Sequence, residues 1–223
     1  MKILTLFASV AFLAVQAAVA AAGSSTGGAV AARTAPARAL RIVALGDSLT
    51  AGLGLPQNAA FPTVLERALK ARGHKVEIVN AGVSGDTATG GLERLDWSVP
   101  DGTDGVILAL GANDMLRGVD PGVTKRALEA IVTRLKARGI AVMLAGMYAS
   151  RNLGPDYVAR FDAIYRDIAA RHGLLLYPFF LEGVAGERSL NLADGIHPSV
   201  QGVETIVRRI VPTVEAFLAQ VRS

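Results

Sequence analysis

The sequence predicts an α/β protein with three layers: a doubly wound, parallel five-stranded sheet between two sets of helices. Three observations predict it. Short apolar runs alternate with longer amphipathic stretches from Arg41 to the end of the chain. The apolar runs are near-continuous, as strands buried on both faces must be. Glycines stop the amphipathic stretches, at Gly73, Gly139 and Gly173.

Residues 41–45 read as the first strand, ended by Gly46-Asp47-Ser48. Residues 62–72 read as a helix with Val64, Leu65, Ala68 and Leu69 on one face. A second strand over 76–79 runs into the loop Asn80-Ala-Gly-Val-Ser-Gly-Asp86, and 87–95 read as a helix. The third strand, 105–110, is ended by Gly111-Ala-Asn-Asp114. The long helix 121–138 has Asp120 as its N-cap. Then come a strand over 140–145, a helix over 155–171, a strand over 174–177 and a terminal helix over 198–221.

The chain has 223 residues, 51% of them hydrophobic and 19% charged, which suits one domain with a sizeable core. Lys2, the apolar run 3–19 and Ala18-Val19-Ala20 make residues 1–20 read as a secretory signal peptide. An uncleaved anchor is the competing reading, although a run of about 17 residues is at the low edge of what spans a bilayer. Residues 21–39, mostly Ala, Gly, Ser and Thr, read as a flexible leader, and 40–223 as the domain. The expected location is periplasmic or secreted, with no stable membrane anchor. The absence of cysteine excludes disulfides and a lipid-anchored cysteine. The net charge of +4 is spread along helices, as at Lys70-Ala71-Arg72, and reads as solvated faces. No basic run with interleaved aromatics points to nucleic acid, and no glycine-rich phosphate loop points to nucleotides.

In such a sheet, ligands meet the loops beyond the carboxyl ends of the strands. Ser48, Gly82 and Asn113 fall on three of these loops. A serine at Ser48's strand-to-helix turn can present its hydroxyl beside a helix N-terminus that favours an oxyanion. The same position suits an N-cap, and Thr50 replaces the second glycine of the usual G-x-S-x-G turn. Of the three histidines, His74 and His172 lie beside helix-stopping glycines, where they favour a helix C-terminus. His197 differs: Asp194, three residues earlier, can hold its imidazole and fix the tautomer. A helix start, with Pro198 at the first position, is the other use of that segment. The backbone of Gly82, the amide of Asn113 and the N–H of Ser48 can donate to an oxyanion, and Gly82 and Asn113 equally suit a tight turn and an Asx-turn.

Taken together and in order, Gly46-Asp-Ser-Leu49, Gly82, Gly111-Ala-Asn-Asp114 and Asp194-Gly-Ile-His197 resemble the four blocks of the GDSL esterases, also called SGNH hydrolases. The likeness runs from residue 41 to the end. Asn80-Ala-Gly-Val-Ser-Gly-Asp-Thr87, Gly111-Ala-Asn-Asp-Met-Leu-Arg-Gly118, Pro178-Phe-Phe180 and Asp194-Gly-Ile-His-Pro198 are most similar to the bacterial lysophospholipase, acyl-CoA thioesterase I and arylesterase subgroup. The resemblance implies a flavodoxin-like sheet and hydrolysis of a small-molecule acyl ester or thioester through an acyl-enzyme, with no metal or organic cofactor. It assigns Ser48 as nucleophile, His197 as base and Asp194 as its orienting acid. Ser48, Gly82 and Asn113 become the oxyanion donors, and Ser84 shapes its loop. Met115, Leu116, Phe179 and Phe180 are apolar and on or next to rim loops, so they are expected to line an acyl groove flanked by 87–91; core packing is the alternative for the phenylalanines. A carbohydrate O-deacetylase and a non-enzymatic binding module on the same fold are the rival functions.

Overall fold

The computed structural model describes residues 38–222, so the expected signal peptide and all but the end of the leader lie outside the described residues. Where the described chain begins, Arg38 donates to both carboxylate oxygens of Asp104. The backbone N–H of Arg41 donates to the same carboxylate at 2.7 Å.

β1 (Leu40–Gly46) leads into a single-turn helix, α1 (Ser48–Ala51). Then follow α2 (Phe61–Ala71), β2 (Val76–Gly82), α3 (Ala88–Glu93), α4 (Leu95–Ser98) and β3 (Gly105–Ala109). Next come α5 (Ala112–Leu116), α6 (Pro121–Ala137) and β4 (Ala141–Ala145). The chain closes with α7 (Pro155–His172), β5 (Leu175–Tyr177) and α8 (Val200–Arg222). The strands form one sheet in the order β2-β1-β3-β4-β5, with every neighbouring pair parallel. This is a doubly wound, parallel five-stranded sheet, as the sequence predicts, in the flavodoxin-like form that the resemblance implies, with its switch of direction between β1 and β3. α2 packs on α8, α3 on α6, and α6 on α7, giving a helical layer on each face. No helix among the described residues is long and apolar enough to cross a membrane.

Burial explains why the strands were readable. Ile42 to Leu45 in β1 and Val106 to Leu108 in β3 are at most 1% exposed, so each must be apolar along its whole length. β2 lies at the edge and alternates instead, with Glu77 and Asn80 exposed. Its outward Ile78 N–H donates to Glu66 Oε2 at 2.6 Å, which covers part of a free sheet edge.

The structure departs from the predicted elements in instructive places. β2 runs three residues past the expected end, because Asn80, Ala81 and Gly82 keep register with Ala44, Leu45 and Gly46. The expected helix over 87–95 breaks at Arg94, whose side chain turns inward. α8 starts at Val200 because Pro198 is held in an antiparallel bridge to Asn191. Past the end of α2, the His74 N–H donates to the Leu69 carbonyl at 3.1 Å, while its Nε2 lies 3.0 Å from Glu215 of α8 and ties the two helices together.

Candidate active site

The turn after β1 decides what Ser48 can do. Gly46 must be small, since a Cβ there would lie 2.1 Å from Thr50 Oγ1. Asp47, not Ser48, is the N-cap of α1: its Oδ1 accepts from the Leu49 N–H at 3.0 Å. Ser48 is therefore the first helical residue, and its hydroxyl is free for another partner. That partner is His197, with Nε2 2.9 Å from Ser48 Oγ. On the far side of the ring, Nδ1 lies 2.7 Å from Asp194 Oδ2. Asp194 Oδ1 accepts from the N–H groups of His197 at 3.0 Å and Ile196 at 2.9 Å. These two backbone donors, His197's first, and the imidazole hold the Asp194 carboxyl down at about 2. With Asp194 a carboxylate, Nδ1 carries the ring proton and Nε2 faces the hydroxyl as acceptor. The loop is fastened behind them by Leu192 N–H donating to the His197 carbonyl at 2.7 Å.

Asp47 is buried, and its Oδ2 has no hydrogen-bond partner among the described residues. Burial pushes its carboxyl up to about 6, against the opposing pull of the Leu49 N–H and of His197. The sequence reading did not single it out.

Of the expected oxyanion donors, Ser48 and Asn113 are well placed to donate. Ser48 heads α1, where first-turn N–H groups have no partner within the helix. Asn113 lies in the first turn of α5, and its Nδ2 donates to the Asp86 carbonyl at 2.9 Å. An amide nitrogen carries two hydrogens, so one remains for a ligand. Gly82 is a correction. Its N–H is already taken by Asn80 Oδ1 at 3.0 Å. Gly82 is small because β2 ends against α1: a Cβ there would lie 2.2 Å from the Ala51 nitrogen. The glycine of the turn beside Asn113 is Gly85, with φ +82°. Its N–H donates to no protein acceptor among the described residues, while its carbonyl accepts from Arg117 Nη2 at 2.7 Å. The signal for it in the sequence is its place in Ser84-Gly85-Asp86, three residues beyond Gly82.

The expected groove residues divide. Met115 and Phe179 line one groove of about 440 Å³ together with Met147, Tyr148, Leu181 and Ile196. Tyr148 stacks on Phe179 with ring centroids 5.0 Å apart. The groove reaches Gly195 and Ile196, next to His197. Phe180 is a correction: it is 1% exposed, edge-on to Phe61 at 4.9 Å, and belongs to the core. Leu116 is 55% exposed on the rim and lies outside the groove. Residues 87–91 do not line it either; Thr87 caps α3, and the Ala88 N–H donates to buried Asp114. A cavity of about 430 Å³ at the other end of the sheet, between Asp104, Lys136, His172 and Phe217, has no hydroxyl or thiol in its lining.

Known proteins and solved structures are similar to this chain. The model of the GDSL-like Lipase/Acylhydrolase family matches residues 44–204. The chain is 36% identical to Esterase TesA of Pseudomonas aeruginosa over 83% of its own length and 92% of that protein's. It is 36% identical to the Thioesterase 1/protease 1/lysophospholipase L1 of Escherichia coli K12, over 71% of this chain and 75% of that one. Among solved structures, the SGNH-hydrolase family esterase AlinE4 is 40% identical, with a TM-score of 0.69 over 82% of this chain and 98% of the other. The match runs through all the loops that carry Ser48, Asn113, Asp194 and His197, and on it the chain belongs to the GDSL-like lipase/acylhydrolase family.

Proposed function

We propose that the protein hydrolyses carboxylic esters and thioesters of acyl chains through an acyl-enzyme formed on Ser48. The observation that carries this reading is the aligned series Ser48 Oγ, His197 and Asp194, with links of 2.9 and 2.7 Å. His197 Nε2 takes the Ser48 proton as the hydroxyl attacks the acyl carbonyl. Asp194 keeps the tautomer and stabilises the imidazolium that forms. The tetrahedral oxyanion is held by the Ser48 N–H, the free amide hydrogen of Asn113 and the N–H of Gly85. His197 then gives its proton to the departing alcohol or thiol. Water, deprotonated by the same ring, repeats the attack on the acyl-enzyme and frees the acid.

The relatives named as an esterase and as a thioesterase and lysophospholipase support this substrate class. The groove favours an acyl chain over a sugar, because thioether, aliphatic and stacked aromatic side chains meet beside His197. Residues 1–20, as a signal peptide, would deliver the enzyme to the periplasm or the medium.

The test is hydrolysis of p-nitrophenyl butyrate, extended to palmitoyl-CoA and lysophosphatidylcholine. Ser48→Ala is expected to lower kcat by about 10⁴-fold or more while the protein stays folded. Turnover within about tenfold of the parent would overturn the reading.

A further inference from the structure

We propose that Arg94 is the positioning residue of the oxyanion site, a buried guanidinium that locks the Gly85–Asp86 turn to the end of the nucleophile's strand. The proposal rests on the ester-hydrolase reading above. The Arg94 side chain is 9% exposed. Its Nε donates to Asp86 Oδ2 at 2.6 Å, its Nη2 to the Gly46 carbonyl at 2.9 Å and its Nη1 to Ser98 Oγ at 2.8 Å. Each of these partners matters to the site or to the anchor. Gly46 ends β1 two residues before Ser48, and its carbonyl also accepts from the Val83 N–H at 3.0 Å. Asp86 follows Gly85, and its own carbonyl accepts the Asn113 amide. Ser98 fixes the third arm of the guanidinium from α4. One cation thus joins the end of β1 to the loop after β2, and the Asp86 carbonyl carries the link on to Asn113 in the loop after β3.

The local chain is shaped around this contact. A helix-period arginine ordinarily faces water, but here the predicted helix breaks at Arg94, which caps α3 and turns inward. Across from it, Gly90 leaves room for the carboxylate, since a Cβ there would lie 2.1 Å from Asp86 Oδ1. A buried guanidinium–carboxylate pair adds little net stability compared with apolar packing, but it fixes the geometry of the groups it joins. What that geometry supplies is preorganisation. Oxyanion donors accelerate a reaction only when already aimed at the developing charge. The Asn113 amide is aimed by the Asp86 carbonyl, and the Gly85 N–H by the turn that Arg94 pins. Lysine cannot replace the fork: it has the charge but not three donors in one plane.

The experiment is a double-mutant cycle between Arg94 and Asn113 on p-nitrophenyl butyrate. Asn113→Ala alone should lower kcat by about 10²–10³-fold. Arg94→Lys alone should lower kcat on the order of 10²-fold, with KM changed less than about threefold, because the loss is confined to the transition state. In the Asn113→Ala background the same Arg94→Lys change should cost less than about tenfold, because part of what it misaligns is already gone. Equal factors in the two backgrounds, or an unchanged kcat, would overturn the proposal. Thermal unfolding checks that each variant is folded. Should Arg94→Lys not fold, Asp86→Ala carries the test with the same expectations, since it removes the acceptor of the Arg94 Nε bond and leaves the bonds to Gly46 and Ser98. A parent enzyme that hydrolyses no ester removes the ester-hydrolase reading along with this one. A parent that hydrolyses, loses activity in Ser48→Ala and shows additive Arg94 effects removes this one alone.

Discussion

Asp47 and Asp194 are both carboxyl groups within reach of His197's field, and their environments drive them apart. Asp194 is exposed and collects two backbone N–H donors and an imidazole, so it stays ionised until the pH nears about 2. Asp47 is buried with one oxygen unpartnered, and its carboxyl rises from 3.8 to about 6. The sign of the consequence follows from proton linkage. A carboxyl raised in the folded state contributes stability below its unfolded value, and that contribution is lost as the pH climbs through about 6. Asp47→Asn keeps an N-cap but does not titrate. Between pH 4 and pH 8 it should gain about 2 kcal/mol on the parent, read from urea unfolding at each pH. A difference that does not change with pH would contradict this. At this scale Ser48, Asp194 and His197 were legible because chemistry-bearing types stood at telling spacings. Gly85 was not. Two glycines share one loop, and the choice between their N–H groups was made by the Asn80 side chain bonding Gly82, a contact that no spacing records.

At the scale of elements, the end of β2 and the single turn of α1 press on each other. Gly82 lies where a Cβ would meet the backbone of Ala51, and backbone cannot swing aside as a flexible side chain can. Gly82→Ala should therefore destabilise the protein by about 1–3 kcal/mol, read as a lowered urea midpoint. An unchanged midpoint would show that α1 yields without cost. The long helices α2, α6, α7 and α8 were legible from their period, and the central strands from continuous burial. α1 and α5, at four and five residues, are too short to carry a period. The break at Arg94 was hidden for a different reason: a tertiary contact with Asp86 and Gly46 outweighs a helical pattern that is locally sound.

Across the whole molecule, the order β2-β1-β3-β4-β5 turns a dispersed set of residues into one site. Ser48 and Asn113 follow the two strands that flank the switch point, and His197 returns to Ser48 from 149 positions away. Topology of this kind was legible only as a class, because alternation predicts a parallel sheet and the loops of its carboxyl edge follow from that. The division between core and groove was not, since Phe179 and Phe180 are adjacent and chemically alike. Only packing sends one to the stacked pair with Tyr148 and the other under Phe61. The two should therefore separate on substitution. Phe180→Ala should cost about 3–5 kcal/mol of stability and leave acyl chain-length preference unchanged. Phe179→Ala should shift chain-length preference at a smaller cost in stability, and the reverse pattern would redraw the groove. The central claim, that Ser48 is the nucleophile, is met most directly by mass spectrometry of the protein treated with a serine-directed fluorophosphonate. The account predicts one adduct, on the peptide containing Ser48, with activity lost in step and no labelling of Ser48→Ala. An adduct on any other residue that abolishes activity, or full labelling of Ser48→Ala, would contradict it.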